Sequence, residues 1–179
     1  RFEKGAALWQ DGENDLVTGL DENWYGARWP KLELLGLGLN EMGYPTALYA
    51  SDDRGGSAAK DLLLWHDYDR NGDLDQTETR VIVKQNCLYV TDQSFGFNPS
   101  STACVVFGPP SGGLRFWNDG DRDLEPDPGE LRTLVPFGKL GSMVLAFDAA
   151  GHAAVAYWDN DARKFCIWRD GNGDYELNP

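Results

Sequence analysis

The stretch Leu62-Leu63-Leu64-Trp65-His66-Asp67-Tyr68-Asp69-Arg70-Asn71-Gly72-Asp73-Leu74-Asp75-Gln76-Thr77-Glu78-Thr79-Arg80-Val81-Ile82-Val83 decides how the chain folds. A short apolar run ends at a tryptophan, an acid-rich loop follows, and a β-branched run closes the stretch. Counted from Asp67, oxygen side chains stand at loop positions 1, 3, 5, 9 and 12 as Asp67, Asp69, Asn71, Asp75 and Glu78, with Gly72 at position 6. A hard cation takes about six to eight oxygens, and alternate residues of a tightly curled loop can turn that many inward. Gly72 permits the left-handed turn, Asp73 at position 7 offers its backbone carbonyl, and Glu78 can close the sphere with both oxygens. The pattern satisfies every position of a calcium loop.

Working outward, the same opening recurs. Trp-x-Asp occurs as Trp9-Gln10-Asp11, Trp65-His66-Asp67, Trp117-Asn118-Asp119 and Trp168-Arg169-Asp170, and successive first aspartates lie 56, 52 and 51 residues apart. The flanks agree as well. Leu62-Leu63-Leu64, Leu114-Arg115-Phe116 and Phe165-Cys166-Ile167 lead into three of the tryptophans, and Glu130-Leu131-Arg132-Thr133-Leu134-Val135 echoes Glu78-Thr79-Arg80-Val81-Ile82-Val83. A fixed period near 52 suits a four-stranded sheet unit and is too long for leucine-rich or ankyrin repeats.

Within one period the residues read as short strands. Met143–Phe147, Ala153–Trp158 and Lys164–Trp168 are apolar runs separated by Asp148-Ala149-Ala150-Gly151 and Asp159-Asn160-Asp161, which are hairpin signals. Adding Thr133-Leu134-Val135 makes four strands per period. Lys31 to Leu39 is apolar, but Gly36 and Gly38 break it as a helix. The predicted fold is all-β: one domain over residues 1–179, built from repeats of about 52 residues with four short antiparallel strands each, and open to being part of a larger ring or assembly.

The other acidic loops are graded copies of 67–78. The third carries Asp119, Asp121, Asp123, Glu125, Asp127 and Glu130 at positions 1, 3, 5, 7, 9 and 12, with Leu124 in the glycine position. The last offers Asp170, Asn172, Asp174, Glu176 and Asn178 and has no twelfth ligand. The first offers Asp11, Glu13, Asp15 and Asp21, also without the glycine. These loops hold more than half of the acid in a chain with 16 basic and 29 acidic residues and a net charge of −13. Such crowding of like charge repels itself unless a counterion sits among it. Two to four calcium ions are the expected partners, against the plainer reading of solvated acidic turns. The same charge argues against nucleic acid and anionic membranes. No apolar run approaches the roughly 18 residues of a membrane helix. With His66 and His152 the only histidines, a multi-histidine zinc or iron centre is not expected.

Strand, Asp-rich calcium loop and strand at this period resemble the calcium-bearing propellers of the integrin α-chain and related repeat families of bacterial secreted proteins. The resemblance covers residues 60 to 179. It implies a propeller-like arrangement, calcium held for rigidity, and a face used for ligands or partner proteins.

Smaller features leave alternatives open. Trp9, Trp65, Trp117 and Trp168 end strands at the loop mouths, either packed between sheets or exposed as platforms for sugar rings. Trp24, Tyr25 and Trp29 could form a second aromatic patch. Cys87 and Cys104 would face each other if a hairpin were centred near Phe95, as a disulfide or as two buried thiols, with Cys166 in the core. His66 and His152 read as surface loop residues. No phosphate loop, nucleophile elbow or His-Glu-x-x-His pair occurs, so no enzyme is nominated. The expected role is a secreted, calcium-stabilised structural or binding module at the cell surface, outside the cell or in the periplasm. A pilin-like filament subunit and a calcium-dependent polysaccharide-active enzyme are the rival classes, with glycan as a further partner. Both chain ends look cut from the repeating pattern, which predicts a partner chain or homo-oligomer supplying the missing strands.

Overall fold

The structure, a computed structural model, describes residues 32–40, 42–51, 60–71, 77–91, 93–127 and 129–175. Among them eleven strands form three antiparallel sheets and there is no α-helix, so none is long and apolar enough to cross a membrane. The first sheet runs β1 (Leu32–Leu39), β2 (Pro45–Ser51), β3 (Lys60–His66) and β4 (Thr79–Cys87) in chain order. The second runs β5 (Phe95–Phe97), β6 (Ala103–Phe107), β7 (Leu114–Asn118) and β8 (Leu131–Val135). The third has only three described strands, β9 (Leu140–Phe147), β10 (Ala153–Asp159) and β11 (Lys164–Arg169), with β10 in the middle; Thr133-Leu134-Val135, expected from sequence as its fourth strand, belongs instead to β8 of the second sheet, where the loop after β7 returns it to pair with β7. Each strand pairs with its neighbour in sequence, as short hairpin connections require.

The sheets stack face on face, and residue patterning decides the order. Alternate strand residues point to opposite faces. In the middle sheet Ala103, Val105, Phe107 and Trp117 pack against Leu35, Leu48, Ala50, Leu62 and Leu64 of the first sheet. The intervening Cys104, Val106, Leu114 and Phe116 pack against Met143, Ala153, Val155 and Trp168 of the third. A strand covered on both sides has no polar face to show, which is why β6 reads Ala-Cys-Val-Val-Phe, buried throughout. In β10, by contrast, buried Ala153, Val155 and Tyr157 alternate with the more open Ala154, Ala156 and Trp158. Trp117 and Trp168 are buried in the cores between sheets, as the packing reading expects, whereas Trp65 is buried on the opposite face of β3 from Leu62 and Leu64 and not between two sheets. Trp9, Trp24, Tyr25 and Trp29 lie outside the described residues.

Glycines fit the stack at particular points. A Cβ on Gly36 would sit 3.0 Å from the Phe95 ring, and one on Gly38 would sit 2.9 Å from the Phe97 ring. The glycines that rule out a helix here make the trough in β1 that receives β5. Gly113 has a φ of +88°, and its missing Cβ would collide with the Val135 carbonyl oxygen and lie 3.0 Å from the Pro136 carbonyl carbon. Gly113→Ala should therefore destabilise the chain by roughly 2 kcal/mol or more in urea unfolding, from left-handed strain plus backbone collision. A loss below half that would mean the β7 entrance relaxes freely.

One sequence expectation fails. Phe95 is not the tip of a hairpin between Cys87 and Cys104; it pairs with Val105 inside the β5–β6 ladder. Asn98 makes the turn instead, its Oδ1 accepting from the backbone N–H of Ser100 and of Thr102 at 3.0 Å each. Cys87 ends β4 and belongs to the core between the first and second sheets, whereas Cys104 lies in the core between the second and third. They are free thiols on opposite sides of a sheet. Burial pushes the Cys87 thiol up to about 12 and the Cys104 thiol upward as well.

Candidate metal-binding loops

The acidic loops leave the third strand of each sheet at the same place. Loop 67–78 joins β3 to β4, loop 119–130 joins β7 to β8, and the loop from Asp170 follows β11. The first aspartate of each is fixed by its own N–H. Asp67 donates to Pro45 O at 3.1 Å, Asp119 to Ala103 O at 3.0 Å and Asp170 to Ala153 O at 2.9 Å. Each acceptor is the first residue of the adjacent second strand, so the ladder's end places the carboxylate. Asp67, Asp119 and Asp170 are only 0, 2 and 4 % exposed, which is unusual for aspartate.

The twelfth residue returns over the loop entrance. Glu78 N-terminally neighbours β4, its carbonyl accepts from His66 N at 3.1 Å, and its Oε1 accepts from the N–H groups of Tyr68 and Asp69 at 2.8 and 3.1 Å. Glu130 repeats this. Its carbonyl accepts from Asn118 N at 3.2 Å, its Oε1 from Gly120 N at 2.6 Å and its Oε2 from Asp127 N at 3.1 Å. Two groups of carboxylates result, Asp67 with Asp69 and Glu78, and Asp119 with Asp121 and Asp123. In each, one oxygen per residue lies within 4.8 Å of the others. Either group could hold a metal ion. The donor set is oxygen only, which suits a hard cation and not a soft one.

Of the other sequence-predicted ligands, Asn71 is exposed, with its Nδ2 donating to Asp69 Oδ2 at 2.8 Å. Glu125 and Asp127 are exposed, and Glu125 Oε1 lies 3.5 Å from Arg80 Nε. Thus Glu125 turns toward the neighbouring sheet, and Glu130 lies outside the compact trio. Asn172 and Asp174 are exposed and hydrogen-bonded to each other at 2.6 Å. Asp11, Glu13, Asp15, Asp21, Asp73, Asp75, Glu176 and Asn178 lie outside the described residues.

The loops curl without relying on glycine alone. At loop position 4, Arg70, Arg122 and Gly173 have φ of 61, 68 and 81°. At position 6, Leu124 and Tyr175 have φ of 62 and 55°. Side chains rarely adopt this conformation unless something holds them. Here the Leu124 N–H donates to Asp119 Oδ1 at 3.1 Å, and the Tyr175 N–H to Asp170 Oδ2 at 3.4 Å. Their side chains are anchored too. Leu124 is buried in the core between the first and second sheets. Tyr175 stacks 4.8 Å from Phe116, and its hydroxyl donates to Gly151 O. A bulky apolar residue at position 6 therefore ties the loop to the sheet stack where Gly72 would only permit the turn. The shared position of Leu124 and Tyr175 was the available signal for this.

Electrostatics follow from the burial. Desolvation, and then the nearby Glu130, Asp123 and Asp121, push the Asp119 carboxyl up to about 6, against the lowering effect of the Leu124 N–H. Burial, and then Asp119, raise the Tyr68 phenol. Tyr68 belongs to the first loop, so the loops on adjacent sheets lie within each other's field. Both border one cleft of about 210 Å³ lined by Tyr44, His66, Tyr68, Phe97, Asp119 and Arg122. His66 is not the surface residue expected from sequence; it is 7 % exposed, because β3 carries it to the ladder's end under two aromatic rings. Its Nδ1 is 2.5 Å from Thr46 Oγ1, its ring meets Tyr68 and Tyr44 edge-on, and burial lowers its pKa. His152 does stay in its turn, half-exposed, with Nδ1 3.1 Å from Asp148 Oδ2. Set against known protein families, curated proteins and solved structures, the chain matches none.

Proposed function

We propose that this chain is a calcium-stabilised β-sheet module, exported from the cell, in which calcium fixes the strand-connecting loops of a stack of repeated sheets. The observation that carries the reading is the pair of oxygen-only carboxylate groups whose first aspartates are shut off from water. A buried carboxylate without a cation is costly, and further carboxylates crowded beside it add repulsion. Asp67, Asp69 and Glu78 would hold one ion and Asp119, Asp121 and Asp123 another. Calcium rather than magnesium suits loops with many carboxylates and an irregular outline, since magnesium demands near-octahedral geometry and keeps its water. The bound cation supplies positive charge that cancels the repulsion. The chain's part is to hold the oxygens close, through the Pro45 and Ala103 carbonyls, the Glu78 and Glu130 caps and the Leu124 anchor.

A propeller-like repeat is supported by the common strand order, the common place of the loops and the fixed sequence period. Export is supported by weak calcium sites filling only where the ion is plentiful. Isothermal titration with calcium is expected to give at least two ions per chain, with Asp67→Ala losing one and Asp119→Ala another. Absence of binding by the intact chain at millimolar calcium would refute the proposal.

A further inference from the structure

One turn is built three times over. Asn40 between β1 and β2, Asn98 between β5 and β6, and Asp148 between β9 and β10 each accept at Oδ1 from the N–H groups two and four residues on, at 2.9 to 3.0 Å. The residue three on, Gly43, Ser101 or Gly151, has a φ of 78, 57 or 90°. The places between neighbouring sheets can therefore be compared residue for residue.

Between the second and third sheets that place is filled. Tyr175, sixth in the last acidic loop, lays its ring 4.8 Å from Phe116. Its hydroxyl accepts from Asn98 Nδ2 at 3.3 Å and donates to Gly151 O at 3.2 Å. Asn98 opens one turn, and Gly151 is the fourth residue of the next. Between the first and second sheets the corresponding turn residues are Asn40 and Ser101, and Leu64 stands before its tryptophan as Phe116 does. The sixth loop residue is Leu124, which has neither ring nor hydroxyl. The cleft of about 210 Å³ lies at this spot, lined among the described residues by Asn40, Ser101 and Leu124 with Tyr44, Tyr68 and Phe97.

We propose that this cleft binds a phenol-type ring from outside the chain, its hydroxyl set between Asn40 and Ser101 as that of Tyr175 is between Asn98 and Gly151. The size agrees, since a cavity of roughly 150 Å³ already admits benzene. The walls are held in advance. Tyr44 and Tyr68 both meet the buried His66 edge-on, Arg70 Cζ lies 4.3 Å from the centre of the Tyr44 ring, and Phe97 rests edge-on against Phe95. Aromatic walls suit an aromatic guest, and polar groups at one end favour a hydroxyl over bare hydrocarbon. Asp119 and Arg122, opposite in charge, also border the cleft, which suits a neutral guest over an ion. No metal ion is needed, so the proposal does not rest on the calcium reading.

Titration of the intact chain with p-cresol, followed by amide NMR shifts, tests this. One molecule should bind saturably with a Kd of about 1 mM or tighter, with the shifts centred on Asn40, Tyr44, Phe97 and Ser101. Toluene should bind at least about tenfold more weakly. Leu124→Tyr, which supplies the ring from within, should remove binding; if that variant does not fold, the shift map and the toluene contrast of the unaltered chain decide. N-acetyltyrosine amide separates the two sources of such a ring: binding as tight as p-cresol assigns a tyrosyl side chain of a partner, and binding at least about tenfold weaker assigns a free phenol. No saturation by about 10 mM p-cresol overturns the proposal. So does toluene binding equally well, binding that survives in folded Leu124→Tyr, or shifts centred on the exposed Phe165 and Ile167 instead.

Discussion

Removing calcium at neutral pH should lower the melting temperature by roughly 10 °C or more. An ion present at about a hundred times its dissociation constant stabilises by ~2.7 kcal/mol per site. Two sites give about 5 kcal/mol, and a chain of this size shifts by about 2–4 °C per kcal/mol. The effect should itself depend on pH. The folded-state value of Asp119 is raised from the ordinary 3.8 to about 6. Below the lower value the carboxyl is protonated in both folded and unfolded states and contributes nothing. Between the two, the folded state holds a proton that the unfolded state has lost, so stability of the metal-free chain falls as pH rises. Above about 6 the full penalty is present. Calcium needs the ionised carboxylate, so its stabilising effect should grow as pH rises through that window. Melting with calcium and with chelator at about pH 5 and about pH 7.5 measures both. Equal calcium effects at the two values would show that Asp119 is not among the ligands; no effect at either would remove the metal altogether.

Legibility in the sequence varied with how local the cause was. The strands of the third sheet were readable because apolar runs of five or six residues were bounded by Asp148-Ala149-Ala150-Gly151 and Asp159-Asn160-Asp161, which act within a few residues. The region from Cys87 to Cys104 was not. Its outcome depends on Phe95 and Phe97 finding the Gly36 and Gly38 trough almost sixty residues earlier, a contact that no window of sequence contains. Once those rings are seated, β5 is drawn against β6 and the cysteines fall on different faces.

The acidic loops show the same division. Their first and twelfth residues were legible because spacing alone puts them at strand ends, where ladder bonds fix them. The middle positions were less so. Glu125 reads as a ligand from spacing, yet Arg80 on the neighbouring sheet draws it away. Leu124 reads as a defect in the turn, yet its burial between sheets is what holds the turn. Backbone freedom alone is a poor guide to which residue position 6 takes. In this chain a packing contact can replace glycine there, at the cost of tying loop shape to the inter-sheet core.

Trp117→Ala should be the most damaging single substitution among the described residues, costing about 3–5 kcal/mol in urea unfolding with calcium present. That is a large part of the roughly 5–15 kcal/mol by which such domains are stable. Trp117 is fully buried beside Val105, Phe107 and Leu124, so truncation leaves a cavity walled by two sheets that cannot both collapse inward. It also stands two residues before Asp119 and shares its core with Leu124, so calcium binding to loop 119–130 should weaken in the same variant. Trp117→Phe separates the two causes. The indole N–H is buried without a hydrogen-bond partner among the described residues, so phenylalanine removes an existing penalty while keeping much of the apolar volume. It should cost less than half of what alanine does. Trp168→Ala, at a buried but slightly less enclosed position on the last strand, should fall between them. If Trp117→Phe proved as damaging as Trp117→Ala, the N–H would have to be bonded in solution. If neither cost more than about 1 kcal/mol, the tryptophan would not be packed between sheets at all.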